Sequence, residues 1–327
     1  MSGLALKGTT WVTVRQYRRT LWLVGAVVAL VGVVLGALRI WDAQTADVFM
    51  HDGYWVPAEE NQGFRALLTA VGSTVVGLLA VPVLTGAFVA GPLVARAYES
   101  GTYKLSLTQS VSPAAWLRAK LLTAAAAALL ATLALMAVLR IGWSRTASAW
   151  GVEWALRGPY EATGIVLLAQ LLAAVAVGAL LGLLIRRTVL AMAATGIVMG
   201  GILLVLGELR WSILPVNTVT GPVGPALSVP ENGYVTESAL LTAPGTRLDH
   251  MVCWSEVART PGVDTVKGLW AKVEGQCHAR HDVTGQYVDY HPQSHFWPTQ
   301  FIETGILLAL AALALFAAFR VLRARHP

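Results

Sequence analysis

Residues 162–207 read ATGIVLLAQLLAAVAVGALLGLLIRRTVLAMAATGIVMGGILLVLG, two long apolar runs that are separated by Arg186-Arg187 alone. A helix of roughly 20 apolar residues is long enough to cross about 30 Å of bilayer hydrocarbon. Two arginines within the hydrocarbon would cost ~2.5 to 3.5 kcal/mol each, so the pair is expected at the interface, as a tight turn between two spans. This stretch predicts an α-helical membrane protein.

The rest of the chain extends this prediction to six transmembrane helices. Apolar residues make up 56% of the sequence and charged residues 13%, with a mean hydropathy of +0.61, which excludes an ordinary soluble domain. The first run follows a basic segment and continues past signal-peptide length, so it is interpreted as an uncleaved span. The predicted spans are 21–40, 66–92, 117–139, 162–185, 188–207 and 301–319.

The distribution of Lys and Arg predicts the orientation of these spans. Of the 24 basic residues, 13 lie in the two terminal segments, in the loop between spans 2 and 3 and at the 186–187 turn, where Glu99 is the one acidic residue of the chain's 18. Cytoplasmic segments carry such an excess of positive charge. Both termini are therefore expected in the cytoplasm, and the net charge of +6 reflects topology rather than nucleic-acid binding.

The sequence holds no recognisable energy source of its own. Glu208 and Glu303 are interpreted as edge positions, and the middles of the predicted spans carry no ionisable residue, which disfavours a proton-coupled transporter. No G-x-x-x-x-G-K-[ST] phosphate-binding loop occurs, so ATP hydrolysis by this chain is not expected. If the protein transports a substrate, the energy must come from a partner at the cytoplasmic surface.

One inside loop is long enough to receive such a partner. Gly101 is predicted to end a short helix that continues span 2, and Ser112-Pro113 is a helix start signal for span 3. Between them a short amphipathic element is expected, with apolar positions at Leu105, Leu107 and Val111. Taken alone, the same features also fit an ordinary connection between two spans.

The loop carries the pattern E-x-G-T-x-x-L-x-x-T-Q-S-V-S, and with it the chain resembles the permease subunits of type 2 ABC exporters, in the branch common in high-GC Gram-positive bacteria. Two further stretches are similar to the same family, one before span 1 and one at the start of span 6. The residues that carry the resemblance are Glu99, Gly101, Thr102, Leu105, Thr108, Gln109, Ser110, Val111 and Ser112 in the loop, Trp11, Arg15, Gln16 and Arg18 before span 1, and His295 to Pro298 with Glu303 to Gly305.

This resemblance implies a dependent subunit. The loop 93–116 would hold a coupling helix that fits a cleft on a separate ABC ATPase, where ATP and Mg²⁺ would bind, and residues 1–20 would include an amphipathic connecting helix on the inner membrane surface. A second permease chain, identical or a sibling, would complete the transporter in the bacterial cytoplasmic membrane. The family exports amphipathic small molecules, peptides or lipid-like compounds. The chain departs from the family pattern at Ala97 and at Ala114-Ala115.

The segment 208–300 is expected to be a folded extracellular cap, because a structureless connection of that length is unusual. It contains the only two cysteines, Cys253 and Cys277, which are predicted to form a disulfide outside the cell. The alternatives are a metal site that also uses the neighbouring histidines His250, His278 and His281, and two free thiols. No catalytic arrangement is recognised, and three aspartates are interpreted as solvated surface charges, namely Asp249, Asp282 and Asp289.

Inside the membrane, a stripe of small residues on span 4 predicts close packing of helices, either within one subunit or across a dimer. The small-residue stripe is Ala174, Gly178 and Gly182. Pro82 and Gly86 are expected to bend or loosen span 2.

The predicted domain layout has four parts. They are the connecting helix at 1–20, spans 1 to 5 with the coupling loop at 21–207, the cap at 208–300, and span 6 with its tail at 301–327. The alternative function is that of a non-transporting membrane protein of resistance, immunity or sensing, with a ligand-binding cap.

Overall fold

The computed structural model describes residues 18–45, 48–51, 54–57, 61–103, 112–147, 149, 153–230, 232–263 and 265–325. Within them six helices are long and apolar enough to cross a membrane, and they follow the order of the six predicted runs. This is the architecture of a mostly helical, polytopic membrane protein. The spans, numbered 1 to 6, are Leu21–Gln44, Gln62–Glu99, Pro113–Thr146, Val166–Ile185, Thr188–Ser212 and Gln293–Ala324.

Span 4 is the central helix of the bundle and span 1 is peripheral. In its most apolar window span 4 is 67% buried, whereas the corresponding window of span 1 is only 6% buried. Exposed apolar side chains such as Ile197 and Val189 need a hydrocarbon environment, which fits a bundle surrounded by lipid. Span 4 begins at Val166 rather than at 162, because a separate short helix, Arg157–Thr163, ends at the extended residue Gly164.

Span 2 consists of three consecutive helical pieces. An α-helix, Gln62–Leu84, contains Pro82 near its end and is followed by a π-helical turn, Thr85–Ala90, and by a second α-helix, Gly91–Glu99. Proline removes a backbone donor, and π-turns interrupt the regular α-helical ladder. The expected irregularity near Pro82 and Gly86 is therefore present as a change of helix type.

The two halves of span 2 pack in different cores. Before the π-turn, Phe64 and Val71 pack with Leu35 of span 1 and Leu139 of span 3. After it, Val94 of the second half packs in another core with side chains of spans 3, 4 and 6, namely Trp116, Leu121, Leu183 and Leu322. The π-turn thus lies where span 2 passes from one packing group to the next.

The two ends of the bundle are named by their connections. Spans 1, 3 and 5 finish, and spans 2, 4 and 6 begin, at the end where residues 211–296 are inserted in the chain, and we call it the insert end. The opposite end, where residues 100–112 and 186–187 connect spans, is the loop end. At the insert end of spans 1 to 3, Asp42 is buried and accepts hydrogen bonds from Arg39 (3.0 Å) and Arg145 (3.2 Å).

Residues 211–296, the insert, form a compact unit of their own. Its four-stranded antiparallel sheet has the order β3 (Asn217–Gly221), β6 (Val283–His291), β4 (Tyr234–Thr242) and β5 (Arg247–Leu248). Two helices, His250–Ala258 and Leu269–Arg280, are joined by a disulfide between Cys253 and Cys277. A further hairpin, β1 (Val48–His51) with β2 (Tyr54–Pro57), connects spans 1 and 2.

The interpretation of Asp289 as a solvated surface charge was wrong. Asp289 lies on β6 and is 3% exposed, with its carboxylate accepting from Thr218 Oγ1 (2.5 Å) and from Arg247 (2.7 Å). Burial of a carboxylate is tolerated when it is paired and hydrogen-bonded in this way. Asp249 and Asp282 are exposed as expected.

Candidate functional site

The start and end signals in the loop between spans 2 and 3 act as predicted. The helix Gly91–Glu99 ends at Ser100, and Gly101 has a φ of +71°, the left-handed conformation that glycine adopts at little cost. Ser112 accepts a hydrogen bond from the backbone N–H of Ala115 (3.2 Å) at the start of span 3. Its side chain therefore satisfies a donor that the first helical turn leaves open.

Glu99 contacts the turn between spans 4 and 5. Its carboxylate accepts hydrogen bonds from the backbone N–H of Thr188 (2.9 Å) and from the hydroxyl of the same residue. The residue that precedes this helix, Arg187, makes no side-chain capping hydrogen bond. Glu99 thus caps span 5 from a position 89 residues away in the sequence. Its negative charge also interacts favourably with the positive N-terminal end of the helix dipole.

Aromatic and basic side chains surround this contact. Tyr98 stacks on Tyr103, with ring centroids 4.6 Å apart, and meets the edge of Trp116 at 6.4 Å. The guanidinium of Arg186, in the turn between spans 4 and 5, lies 5.6 Å from the Tyr98 ring centroid. Spans 2, 3, 4 and 5 are therefore joined at the loop end through Tyr98 and Glu99.

Lys120 adds a second connection between spans 2 and 3. Its ammonium donates to the backbone carbonyl of Leu93 (3.0 Å) and lies 4.6 Å from the ring of Trp116. A lysine can bury its aliphatic stem along apolar surface while its charged end finds an acceptor. These contacts define the loop-end cluster, which comprises Tyr98, Glu99, Tyr103, Trp116, Lys120, Arg186 and Thr188.

On the insert-end side of this cluster, backbone contact holds span 2 against span 4. A Cβ atom added at Gly182 would lie 2.7 Å from the carbonyl oxygen of Gly91, and one added at Gly178 would lie 2.9 Å from that of Gly86. Only glycine permits so close an approach of two helices. The small-residue stripe of span 4 thus packs against span 2 of the same chain, on and just after the π-turn.

The insert end of spans 4 to 6 holds a buried ionic network that the sequence did not reveal. Arg210 donates to Glu303 through Nε (2.9 Å) and Nη2 (3.0 Å), and through Nη2 to Glu161 (2.8 Å). All three residues are at most 1% exposed. Glu303, interpreted as an edge position, lies toward the insert end of the helix Phe296–Arg325, but it is fully buried there and paired with Arg210. The missing signal was the pairing of residues far apart in sequence, which hydropathy does not report.

Tyr160 and Gln300 complete this network. The ring of Tyr160 lies 4.0 Å from the Arg210 guanidinium, and its burial, together with the charge of Glu303, raises the pKa of the Tyr160 phenol so that it stays neutral. The amide of Gln300 donates to the Tyr160 carbonyl (2.8 Å) and accepts from the N–H of Val166 (2.9 Å). It thereby bridges the break that separates the helix Arg157–Thr163 from span 4.

The predicted site residues fall in different parts of the structure. Glu99, Gly101 and Thr102 lie in or beside the loop-end cluster, where Thr102 Oγ1 is 3.0 Å from Ser100 Oγ. Arg18 begins the helix of span 1. The remaining predicted residues of the coupling loop and the connecting helix lie outside the described residues, and they are Leu105, Thr108, Gln109, Ser110, Trp11, Arg15 and Gln16.

In the insert, Cys253 and Cys277 occupy the positions of a disulfide, and within the described ranges no group of three or more metal-ligating side chains occurs. His291 is buried, and its Nε2 lies 3.0 Å from the Trp211 carbonyl oxygen, so this nitrogen carries the hydrogen. Burial lowers the pKa of His291, with a smaller contribution in the same direction from neighbouring His295.

A comparison with known families gives one match. Residues 56–210 match a family model described as "ABC-2 membrane transporter related". The matched range contains spans 2 to 4, span 5 as far as Arg210, and every residue of the loop-end cluster. No curated protein and no solved structure matches the chain.

Proposed function

We propose that this chain is the membrane-spanning permease subunit of an ABC-2 transporter, and that it exports an amphipathic small molecule, peptide or lipid-like compound. The proposal proceeds from the family match over spans 2 to 5 and from six apolar helices. ATP would be hydrolysed with Mg²⁺ on a separate ATPase subunit, and a second permease chain, identical or a sibling, would form the other half of the path. The protein would reside in the bacterial cell membrane.

The loop-end cluster is the observation that carries this proposal. A permease without its own ATPase needs a surface that receives the motion of its partner and passes it to several spans at once. The helix Gly91–Glu99 meets this need, because it leads into the 100–112 loop and also caps span 5 through Thr188. The excess of Lys and Arg at the loop end supports a cytoplasmic location for that end, where an ATPase would be.

The route from this surface into the membrane follows span 2. A displacement of the 100–112 loop would move the helix Gly91–Glu99, whose contact with Gly182 is too close to slide without moving span 4 as well. The π-turn at Thr85–Ala90 separates this half of span 2 from the half that packs with spans 1 and 3. Spans 4 and 5, which contact this half of span 2 at Gly182 and Thr188, would thus follow the ATPase, together with the parts of spans 3 and 6 that share its core.

The test is to co-express the chain with candidate ABC ATPases, to purify the complex that forms and to compare variants of the cluster. Glu99→Ala is expected to leave the complex intact but to lower transport and substrate-stimulated ATP turnover, because the link to span 5 is lost. Thr188→Val removes the hydroxyl donor but keeps the backbone N–H that also donates to Glu99, so it should have a smaller effect in the same direction, and the double variant should be no worse than Glu99→Ala alone. Glu208→Ala, the same change at the other end of span 5, is the matched control.

Replacement of Leu105 tests docking itself and should weaken the complex. Unchanged complex formation and unchanged turnover in both the Leu105 and the Glu99 variants would refute the coupling role. If the chain binds no ATPase at all, a non-transporting membrane protein with a ligand-binding insert is favoured over a permease.

A further inference from the structure

The ionic network around Arg210 joins three separate elements at the insert end. Arg210 directly follows the helix Thr188–Leu209 of span 5, Glu303 lies on span 6, and Glu161 lies on the short helix that precedes span 4. A fourth member, Arg157, contacts Glu161 (3.3 Å) and the backbone carbonyl of Leu203 (3.1 Å) from the rim, with 41% of its side chain exposed. Two arginines thus balance two glutamates.

This balance does not by itself explain why the charges are there. A buried ion pair forgoes the hydration of both ions, and replacing such a group by apolar side chains of similar size is often neutral or stabilising. Breaking one pair in a dry site is different, because it leaves a single charge without compensation. Such a network is therefore stable as long as it stays dry and fully assembled.

Water would change this. Glu161 Oε2, a buried atom of this network, has no hydrogen-bond partner within the described part of the chain. Buried polar atoms of this kind are normally satisfied, and water entering the site could satisfy them. The same water would hydrate each separated ion and remove most of the penalty for breaking the pairs. A network of this type is closed when dry and easily opened when wet.

We propose that Arg210 is a positioning residue of the transport cycle, whose ion pairs with Glu161 and Glu303 hold span 5, span 6 and the short helix before span 4 together at the insert end and release them when water enters. The transport cycle in this proposal rests on the proposed transport function, but the closed network can be tested without that function. In the described state the ion pairs join these three elements directly. During export this end opens to water, and the ions become separately hydrated.

The test uses a single introduced thiol. Both cysteines of the chain are in the disulfide, so a Thr299→Cys variant carries one free thiol, at a buried position one helical turn before Glu303. The chain is reconstituted in lipid nanodiscs without ATPase, and the rate of labelling by a water-soluble maleimide is measured. The thiol is expected to be protected in the parent and to react about tenfold faster or more with Glu303→Gln, which leaves Arg210 underpaired.

A second variant changes the network in the opposite direction. Arg210→Met, Glu161→Leu and Glu303→Leu together replace the ions by apolar groups of similar size, which should keep the site dry and the thiol protected. With the partner ATPase, substrate and ATP present, labelling should rise in the parent but not in this triple variant, and transport by the triple variant should be lost although it still binds the ATPase. A purely structural role predicts full transport by a folded triple variant.

The outcomes separate the two proposals. An unchanged labelling rate in Glu303→Gln refutes the closed network, and this measurement decides the matter even if the triple variant does not fold. Rapid labelling of the parent without ATPase refutes it as well. A third outcome is a thiol that is protected in the parent, labelled rapidly in Glu303→Gln, and unaffected by any ATPase. This outcome would support the closed network and would contradict only the transport function.

Discussion

The contact between Gly182 and Gly91 allows one prediction to be worked through from the structure. Gly182→Ala adds a Cβ that would lie 2.7 Å from the Gly91 carbonyl oxygen and 3.2 Å from both the Ala95 nitrogen and the Val94 Cβ. Most of these neighbours are backbone atoms, which cannot rotate away, so spans 2 and 4 must separate. Overpacking of this kind typically costs ~1 to 3 kcal/mol.

The matched control is Gly201→Ala on span 5, because an added Cβ there meets no atom within 4 Å. Alanine in place of glycine in a helix interior gains roughly 0.5 to 1 kcal/mol, and this gain is common to both variants. The difference in unfolding free energy between them therefore isolates the overpacking, about 1 to 3 kcal/mol. It can be measured by reversible unfolding in mixed micelles of mild detergent and dodecyl sulfate.

We expect Gly182→Ala to be the less stable variant by that amount and to show reduced transport with its ATPase, since the span 2 to span 4 contact is displaced. Equal stability of the two variants would refute the backbone-to-backbone contact. Equal transport despite the stability difference would refute its part in the route from the loop end.

Three further predictions concern the insert end and the insert. Gln300→Leu removes two buried hydrogen bonds and should lower the unfolding free energy by about 2 to 4 kcal/mol; the exposed Gln293→Leu should change it little, and equal losses in both would contradict the bridging role. Burial lowers the pKa of His291, so the folded insert favours the neutral ring. The contribution of His291 to the stability of the insert should be full above about pH 6.5 and should be lost as the pH falls through the lowered pKa. Hydrogen exchange of β6 measured against pH should show this loss in the parent and not in a His291→Asn variant. Reduction of the disulfide, or Cys253→Ser with Cys277→Ser, should destabilise the insert by roughly 3 kcal/mol for a loop of 24 residues, and hydrogen exchange unchanged by reductant would count against it.

Local signals in the sequence predicted local structure well. The long apolar runs gave the six spans in order, Gly101 and Ser112 marked the helix end and start that the structure has, and Pro82 marked the irregular part of span 2. Each of these features depends on a few neighbouring residues. Glycine's access to positive φ, the serine side-chain acceptor and the missing N–H of proline act within one helical turn.

The contacts that join distant segments could not be predicted in the same way. Nothing around Glu99 indicates that its acceptor atoms reach Thr188, and nothing near Arg210 indicates Glu161 and Glu303. Hydropathy indicated only that Glu303 lies near a span edge, because an average over a window carries no information about its pairing with Arg210. The small-residue stripe of span 4 predicted a close neighbour but could not distinguish span 2 of the same chain from another subunit.

The π-turn in span 2 also fixes the rotational register of the helix that follows it. A π-turn accommodates one residue more than an α-turn, and one residue corresponds to about 100° of rotation about the helix axis. Closing this turn as regular α-helix with all its residues kept would rotate Gly91 by about 100° away from Gly182, whereas deleting one residue between Thr85 and Ala90 would make the span α-helical and leave Gly91 in register. The same rotation would turn Glu99 away from Thr188. A change of helix type in the apolar middle of span 2, with no change of sequence at its end, would thereby misdirect the polar contacts there.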